Sequence, residues 1–115
     1  MSKSILKDKS YSFAIRIVRL NQFLCGEQKE YVLSKQLLRS GTAVGALVRE
    51  AEFGQSRADF RSKMAIALKE ANETDYWLTL LKDTGYLNAN MFESISFDCV
   101  ELIKILAATV KTTQK

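Results

Sequence analysis

The sequence contains no histidine and no proline, and it has only two cysteines and five glycines. Without histidine, neither a Ser-His or Cys-His nucleophile nor a histidine-containing di-iron site is available, and without a CxxC motif a zinc site is not predicted. The lack of proline, which breaks helix interiors, favours long uninterrupted helices. Cys25 and Cys99 are far apart in the sequence. We therefore expect two reduced structural thiols, with a disulfide or redox role as the alternative.

Long apolar runs are also missing. The sequence shows no stretch of transmembrane length and no signal-peptide pattern, so we expect a soluble, cytoplasmic protein without a membrane partner. The 115 residues fit one domain, 1–115, which is long enough to bury a core without disulfides or metals. Apolar residues make up 47% of the chain, a globular value that excludes simple disorder.

Apolar residues recur at helical spacing in four segments. The pattern predicts the first helix over residues 7–24, the second over 29–53 and the fourth over 90–111. A third helix of about 42 Å is predicted to begin at Ser56 and to stop before Gly85. The predicted core stripes are Phe13, Ile17, Leu20 and Leu24; Leu33, Leu37, Ser40, Val44, Leu47 and Ala51; Phe60, Met64, Ala67, Ala71, Thr74, Leu78 and Leu81; and Phe92, Ile95, Cys99, Leu102, Leu106 and Val110.

The links between these segments are short, which makes consecutive helices antiparallel neighbours. The sequence thus predicts an all-α fold, an antiparallel up-and-down four-helix bundle with left-handed packing. Gly41 and Gly45 lie one turn apart inside the second helix, where each costs about 1 kcal/mol relative to alanine. We expect a neighbouring backbone to approach the helix closely at these two positions.

The third helix has a second apolar side, and exposed apolar surface of this kind is typical of interaction sites. The second helix offers a counterpart with small and charged residues, on which Arg39 is expected to face Glu70 or Glu73 of another copy. The sequence therefore predicts a homo-oligomer; the alternative is a wide core within one chain, with the charges solvated. The predicted oligomer interface comprises Arg39, Ala43, Ala46, Glu50, Ile66, Glu70, Glu73, Trp77 and Leu80.

The net charge of +4 arises entirely from residues 1–24. Lys9, Arg16 and Arg19 lie on one side of the first helix, and Lys35 of the second helix extends this basic surface. Such cations neutralise phosphates and give salt-sensitive binding without sequence readout. Nucleic-acid binding, to RNA or DNA, is therefore the first functional hypothesis.

Two other functions remain open. A protein-binding scaffold would use the second apolar side of the third helix for a different protein. An enzyme is disfavoured, because Glu50, Glu70 and Glu73 near arginines are more typical of structural ion pairs than of a catalytic carboxylate cluster. We predict no catalytic residue, no metal and no cofactor.

Two segments carry a resemblance to a known family. The segment 36–46, QLLRSGTAVGA, and the segment 63–78, KMAIALKEANETDYWL, resemble signatures of the four-helix-bundle S23 family, also called the 23S rRNA intervening-sequence protein family. Glu50-Ala51, Ser56 and Asp59-Phe60 extend the similarity. Ala43 and Leu47-Val48 depart from it, standing where Ser and Asn-Ile are commoner. The first and fourth helices match only as amphipathic patterns.

This resemblance implies a bacterial cytoplasmic protein whose antiparallel bundles assemble into a homopentameric barrel. It also implies a gene that stands alone or lies in an intervening sequence of a large-subunit rRNA gene. A distant branch of the family serves diversity-generating retroelements as an accessory protein that binds nucleic acid and a reverse transcriptase. The expected partners are therefore further copies of the chain, RNA or DNA, and a partner protein.

Overall fold

A computed structural model describes residues 2–113, with side chains from residue 5 onward. It contains four helices: α1 (Ser2–Gly26), α2 (Leu33–Glu52), α3 (Arg57–Asp83) and α4 (Ala89–Thr113). Each helix packs antiparallel on the next one along the chain, and α1 makes a sparser contact with α4. The bundle measures 44 × 21 × 20 Å. The predicted up-and-down arrangement of four antiparallel helices is confirmed, while its assembly into a barrel stays a prediction.

The second helix begins at Leu33, so the predicted start at residue 29 is wrong. Lys29 has a positive φ of 54°, which a helix does not allow. Burial by itself would raise the pKa of the Glu30 carboxyl. The amide hydrogens of Val32, Leu33 and Ser34, which donate to that carboxylate, outweigh burial and lower its pKa. Glu30 therefore supplies the acceptors for the first turn of α2 from outside the helix.

The third and fourth helices begin at side-chain caps. The Ser56 hydroxyl accepts a hydrogen bond from the Asp59 amide at 3.1 Å, as the capping-box spacing predicts. The Asn88 side chain accepts from the Met91 amide at 2.9 Å and caps α4 in the same way. Gly85, with φ of 88°, lies two positions beyond the last residue of α3, where the sequence predicts the stop.

The predicted stripes form the core. All four predicted residues of α1 are buried, and the residues that are only partly buried lie mostly toward the ends of the other stripes. Val48 is fully buried although it was not predicted as a core residue. The buried hydroxyls of Ser40 and Thr74 satisfy each other across α2 and α3 at 2.9 Å.

The two glycines of α2 face α1. A Cβ atom on Gly45 would lie 3.2 Å from the backbone oxygen of Ser10, so a neighbouring backbone does approach closely there. A Cβ atom on Gly41 would lie 2.8 Å from the Ile17 side chain, so at this position the neighbour is a side chain and not a backbone. Both glycines set the distance between α1 and α2.

Candidate functional site

The basic residues of α1 lie along the seam between α1 and α4, where acidic residues of α4 face two of them. Lys9 Nζ lies 3.2 Å from Glu101 Oε1, and Arg16 Nη1 lies 2.7 Å from Asp98 Oδ2. The sequence did not indicate these pairs, because the partners lie 92 and 82 positions further along the chain. Half of the predicted nucleic-acid-binding residues are therefore ion-paired within the chain.

Arg16 is held in place by three acceptors. Besides Asp98, it donates to the backbone oxygen of Ser94 at 3.2 Å and to the hydroxyl of the same residue at 2.7 Å. Arg19, one turn further along α1, is exposed. Lys35 is exposed near the start of α2 and lies outside the α1–α4 seam. Neither Arg19 nor Lys35 forms an ion pair with the side chains of residues 5–113.

The seam contains two grooves of opposite character. The first, here called the arginine groove, has a volume of about 500 Å³ and no acidic residue among its lining side chains. The second, the acidic groove, has a volume of about 260 Å³ and is lined by three carboxylates and one lysine. The arginine groove is lined by Arg16, Arg19, Leu20, Phe23, Asn90, Met91, Ser94 and Ile95. The acidic groove is lined by Asp8, Lys9, Ser12, Asp98, Glu101 and Leu102.

Arg39 pairs with both Glu70 and Glu73, and it does so within one chain, between α2 and α3. Its guanidinium lies 3.1 Å from Glu70 Oε1 and donates a shorter hydrogen bond to Glu73 Oε2. The Trp77 indole also donates to Glu73 Oε2, at 3.0 Å. These hydrogen bonds, from Trp77 first and then Arg39, lower the pKa of the Glu73 carboxyl, and Glu73 and Glu70 raise the pKa of Arg39.

The glutamates of the enzyme hypothesis do not gather into one carboxylate cluster. Glu50 Oε1 lies 3.2 Å from Lys63 Nζ, whereas Glu70 and Glu73 share Arg39. Within residues 2–113 no group of three or more side chains is arranged to ligate a metal ion. In the same part of the chain, no helix is both long and apolar enough to cross a membrane.

The remaining residues of the predicted oligomer interface lie at or near the surface. Ala46 and Ile66 are exposed, while Ala43, Trp77 and Leu80 are half-buried. The isolated chain therefore leaves part of both predicted sides accessible to a partner. Whether another copy covers them stays a prediction.

Besides its buried core stripe, α1 carries an exposed apolar stripe that was not predicted. Tyr11, Ile15 and Val18 are 57%, 40% and 39% exposed, and they lie on the side of α1 opposite its core stripe. Their steps of four and three are the same signal that identified the core stripe. The α4 residue Phe97 is 71% exposed, and Phe53 at the end of α2 is 74% exposed.

A wide groove, here called the α2 groove, crosses the outer side of α2 between α1 and α3. Its volume is about 710 Å³, and small residues of α2 lie among its lining side chains. Aromatic and charged residues border it, and the Arg49 guanidinium lies 5.8 Å from the centre of the Tyr11 ring. The lining comprises Lys7, Tyr11, Ala14, Thr42, Gly45, Ala46, Arg49, Glu50, Phe53, Gly54, Gln55, Asp59 and Lys63.

The two cysteines are free thiols in different surroundings. Cys99 is fully buried, and burial raises the pKa of its thiol to about 12. Its sulfur lies 3.5 Å from the backbone oxygen of Ala71. Cys25 is half-buried, and its sulfur lies 3.6 Å from the Ser34 hydroxyl. A thiol that stays protonated is a poor nucleophile, so Cys99 has a packing role.

Fold and surface together describe a small helical bundle whose polar residues form surface ion pairs and line shallow grooves. The profile of the 23S rRNA-intervening sequence protein family matches residues 2–108. A crystal structure of a Bacteroides thetaiotaomicron protein of the S23 ribosomal protein family, described as of unknown function, is 57% identical. It superposes with a TM-score of 0.94 over 96% of this chain and 99% of that chain. This chain belongs to the 23S rRNA-intervening sequence protein family.

No functionally curated protein matches the chain. Neither the family description nor the matched structure bears the name of an enzyme.

Proposed function

We propose that this chain is a non-catalytic, self-assembling bundle protein that binds nucleic acid through the basic residues of α1. The observation that carries the proposal is the position of Arg16 and Arg19, which line one groove with no carboxylate among the lining side chains. Because the positive excess of the whole chain lies in residues 1–24, the surface of α1 is where a polyanion is attracted.

The ion pairs along the seam do not prevent phosphate binding. The side chains of Arg16 and Asp98 are 39% and 37% exposed, and exposed pairs contribute only about 0.2–1 kcal/mol. Phosphate and carboxylate oxygens both accept strong, charge-assisted hydrogen bonds from guanidinium. Arg16 therefore exchanges a carboxylate for a phosphate at little cost, whereas Arg19 binds a phosphate without losing a partner among the described side chains.

Lys9 has a smaller role in this proposal than the sequence suggested. It lies among Asp8, Asp98 and Glu101, whose charges repel a phosphate. Lys35 lies away from the seam and extends the basic surface only if a long ligand also contacts α2.

Filter binding of single-stranded RNA and DNA at rising salt tests the nucleic-acid part of the proposal. We expect retention at low salt, a linear fall of log affinity with log salt, and a smaller slope for Arg16→Gln/Arg19→Gln. The matched control is Lys104→Gln/Lys111→Gln on α4, which removes the same charge from another surface. If wild-type protein retains neither nucleic acid at low salt, the hypothesis is wrong.

Self-assembly is the second part of the proposal. It is supported by exposed apolar side chains on several helices, including Tyr11, Ile66 and Phe97, which are 57%, 42% and 71% exposed. The pentamer number derives from the family resemblance. Assembly repeats each weak phosphate contact around the oligomer, and linked weak contacts raise the overall affinity.

Light scattering at micromolar concentration measures the assembled mass directly. We expect a mass of several chains, five by resemblance, and a smaller mass for Ile66→Glu. The control is Arg61→Glu, an exposed position on the same helix outside the predicted interface. A monomer mass for the wild-type protein would contradict the assembly part of the proposal and leave the nucleic-acid part to its own test.

A protein-binding scaffold is the second candidate, and the α2 groove favours it. Its small lining residues Thr42, Gly45 and Ala46 allow close approach of another helix, and Phe53 beside them is 74% exposed. A photoreactive residue in place of Phe53 distinguishes the occupants. A cross-link to a second copy supports assembly. A cross-link to a different protein that still forms when excess unmodified chain is present supports the scaffold.

A further inference from the structure

We infer that the arginine groove takes an unpaired base of single-stranded nucleic acid, with the adjoining phosphates on Arg16 and Arg19. The inference rests on the proposed function, because it assigns the site and the strandedness of the ligand to the same basic surface. It starts from a contrast within the α1–α4 seam. The two grooves lie on the same pair of helices, but only the arginine groove has no carboxylate among its lining side chains. Of its two arginines only Arg16 pairs with a carboxylate among the described side chains, that of Asp98.

The floor and sides of the arginine groove suit a flat, mostly apolar group. Leu20 and Ile95 are buried beneath it, and the half-buried side chains of Phe23 and Met91 lie beside them. Bases stack on aromatic side chains, and sulfur makes favourable contacts with aromatic rings. A volume of about 500 Å³ lies within the range of small-molecule sites, so the size of the groove is compatible with one base.

The rim of the groove supplies the polar groups that a base and its backbone require. Asn90 is exposed, and its amide carries both donors and an acceptor for the edge of a base. Arg16 and Arg19 follow each other at a step of three on α1, so their guanidinium groups face the same side of the helix. The apolar floor beneath two cations matches a base attached to phosphates better than it matches a free anion.

Duplex nucleic acid does not meet these requirements. Paired and stacked bases are not available to an apolar groove, and a duplex would contact only the arginines at the rim. The arginine groove also shares no residue with the predicted oligomer interface. Assembly through that interface therefore leaves the groove accessible to a strand.

The test compares a 12-nucleotide single-stranded RNA with a duplex of the same sequence, using wild-type protein and three variants. Ser94→Leu fills the arginine groove, Ser94→Ala removes only the hydrogen bonds of the hydroxyl, and Ser12→Leu makes the same enlargement in the acidic groove. We expect wild-type protein to prefer the single strand by about tenfold, the order that base stacking on a protein contributes. Ser12→Leu should keep this preference. Ser94→Leu should lose it, and should lose more of it than Ser94→Ala, which measures the effect of the missing hydroxyl contact with Arg16 alone.

Ultraviolet cross-linking with a photoreactive uridine in the strand locates the base independently of affinity. We expect cross-links to the peptides that contain Phe23 and Met91. Equal affinity for both probes, or cross-links confined to other peptides, would overturn the inference while leaving nucleic-acid binding in place. If the wild-type protein binds neither probe, the proposed function falls, and the inference falls with it. A Ser94→Leu protein of altered mass in light scattering would also overturn it, because the groove would then be a contact between copies.

Discussion

Asp98 on α4 accepts a 2.7 Å hydrogen bond from Arg16 on α1, although 82 positions separate the two residues in the chain. This contact joins α1 and α4, the pair of neighbouring helices with the sparsest contact in the bundle. It also places a carboxylate next to a guanidinium that the proposed function assigns to a phosphate. If the proposed function is correct, Asp98 competes with the nucleic acid for Arg16.

Replacing Asp98 with asparagine should strengthen nucleic-acid binding. The substitution removes one competing charge from Arg16, and since exposed ion pairs contribute about 0.2–1 kcal/mol, the gain is expected to be at most about fivefold. Filter binding across a salt series measures it. The control is Glu101→Gln, which removes the partner of Lys9 in the acidic groove, where two other carboxylates remain. Equal gains in affinity from both variants would show that the effect comes from net charge and not from the contact between Asp98 and Arg16.

Loss of Arg39 should destabilise the chain more than loss of an ordinary surface charge. The Glu70 side chain is only 14% exposed, so Arg39→Met leaves a buried carboxylate without its cation. Because the Arg39 side chain is itself 50% exposed, we expect about 1–3 kcal/mol, the cost of an unsatisfied buried group, and not the larger cost of a fully buried pair. Urea unfolding measures the change.

The double variant Arg39→Met/Glu70→Gln is the control for this interpretation. Removing the stranded charge should recover part of the lost free energy of unfolding, because a neutral amide is cheaper to bury than a carboxylate. If the double variant is no more stable than Arg39→Met, the loss comes from packing of the arginine stem and not from Glu70.

Periodicity predicted the helices and their buried stripes well, because burial repeats every three to four residues and is written locally in the sequence. Phe13 and Leu78 are examples, since each is buried as its stripe predicts. The start of α2 was missed because Glu30 caps the helix from three positions before it, which propensity does not reveal. The candidate site was predicted in part. Arg16 and Arg19 share a groove, as their spacing suggests. The sequence did not indicate that Asp98 on α4 pairs with Arg16, because this contact depends on how helices that are distant in the chain pack together.

The ion pairs of Arg39 illustrate the same limit. The sequence correctly associated this arginine with Glu70 and Glu73, but placed the contact between copies. A helical pattern identifies which residues share a side, and it does not say whether the facing helix belongs to the same chain. Only the packing of α2 on α3 distinguishes the two cases.

Stability should fall in acid partly through Glu73. Its carboxyl pKa is lower in the folded chain than the ordinary value of 4.5, so the unfolded chain binds the proton first as pH falls. The contribution of Glu73 to the free energy of unfolding is therefore complete above pH 4.5, and it is lost as pH drops through the pKa of Glu73 in the folded chain. Glu73→Gln should flatten this part of the pH profile of unfolding free energy, with the exposed Glu93→Gln as the control. An unchanged profile for Glu73→Gln would contradict the assignment.

The two thiols should differ sharply in reactivity. Burial holds the Cys99 pKa near 12, so almost no thiolate forms at pH 8, and the sulfur is also inaccessible to reagent. We expect a thiol reagent to modify Cys25 in the native chain and Cys99 only in denaturant. A Cys25→Ser protein is the control, and it should show no fast-reacting thiol. Rapid modification of Cys99 in that protein would show that α4 opens readily.

Substitution of Gly45 should separate α1 from α2. A Cβ atom would lie 3.2 Å from the backbone oxygen of Ser10, and a backbone atom cannot rotate away as a side chain can. Replacing an interior helical glycine by alanine ordinarily gains about 1 kcal/mol, so Gly45→Ala should show a smaller gain or a loss. Gly45→Leu should lose about 1–3 kcal/mol through overpacking, and more if α1 detaches.

The control for Gly45 is Gly26→Ala, where nothing lies within 4 Å of the added atom. Thermal melting and light scattering of the three variants separate the effects on folding and on assembly. We expect Gly26→Ala to leave both the melting midpoint and the mass unchanged, and Gly45→Leu to lower the midpoint. Should Gly45→Leu melt and assemble as the wild-type protein does, the contact with Ser10 does not limit the distance between the helices. The small residues of α2 would then need another explanation, with the α2 groove as the first place to look.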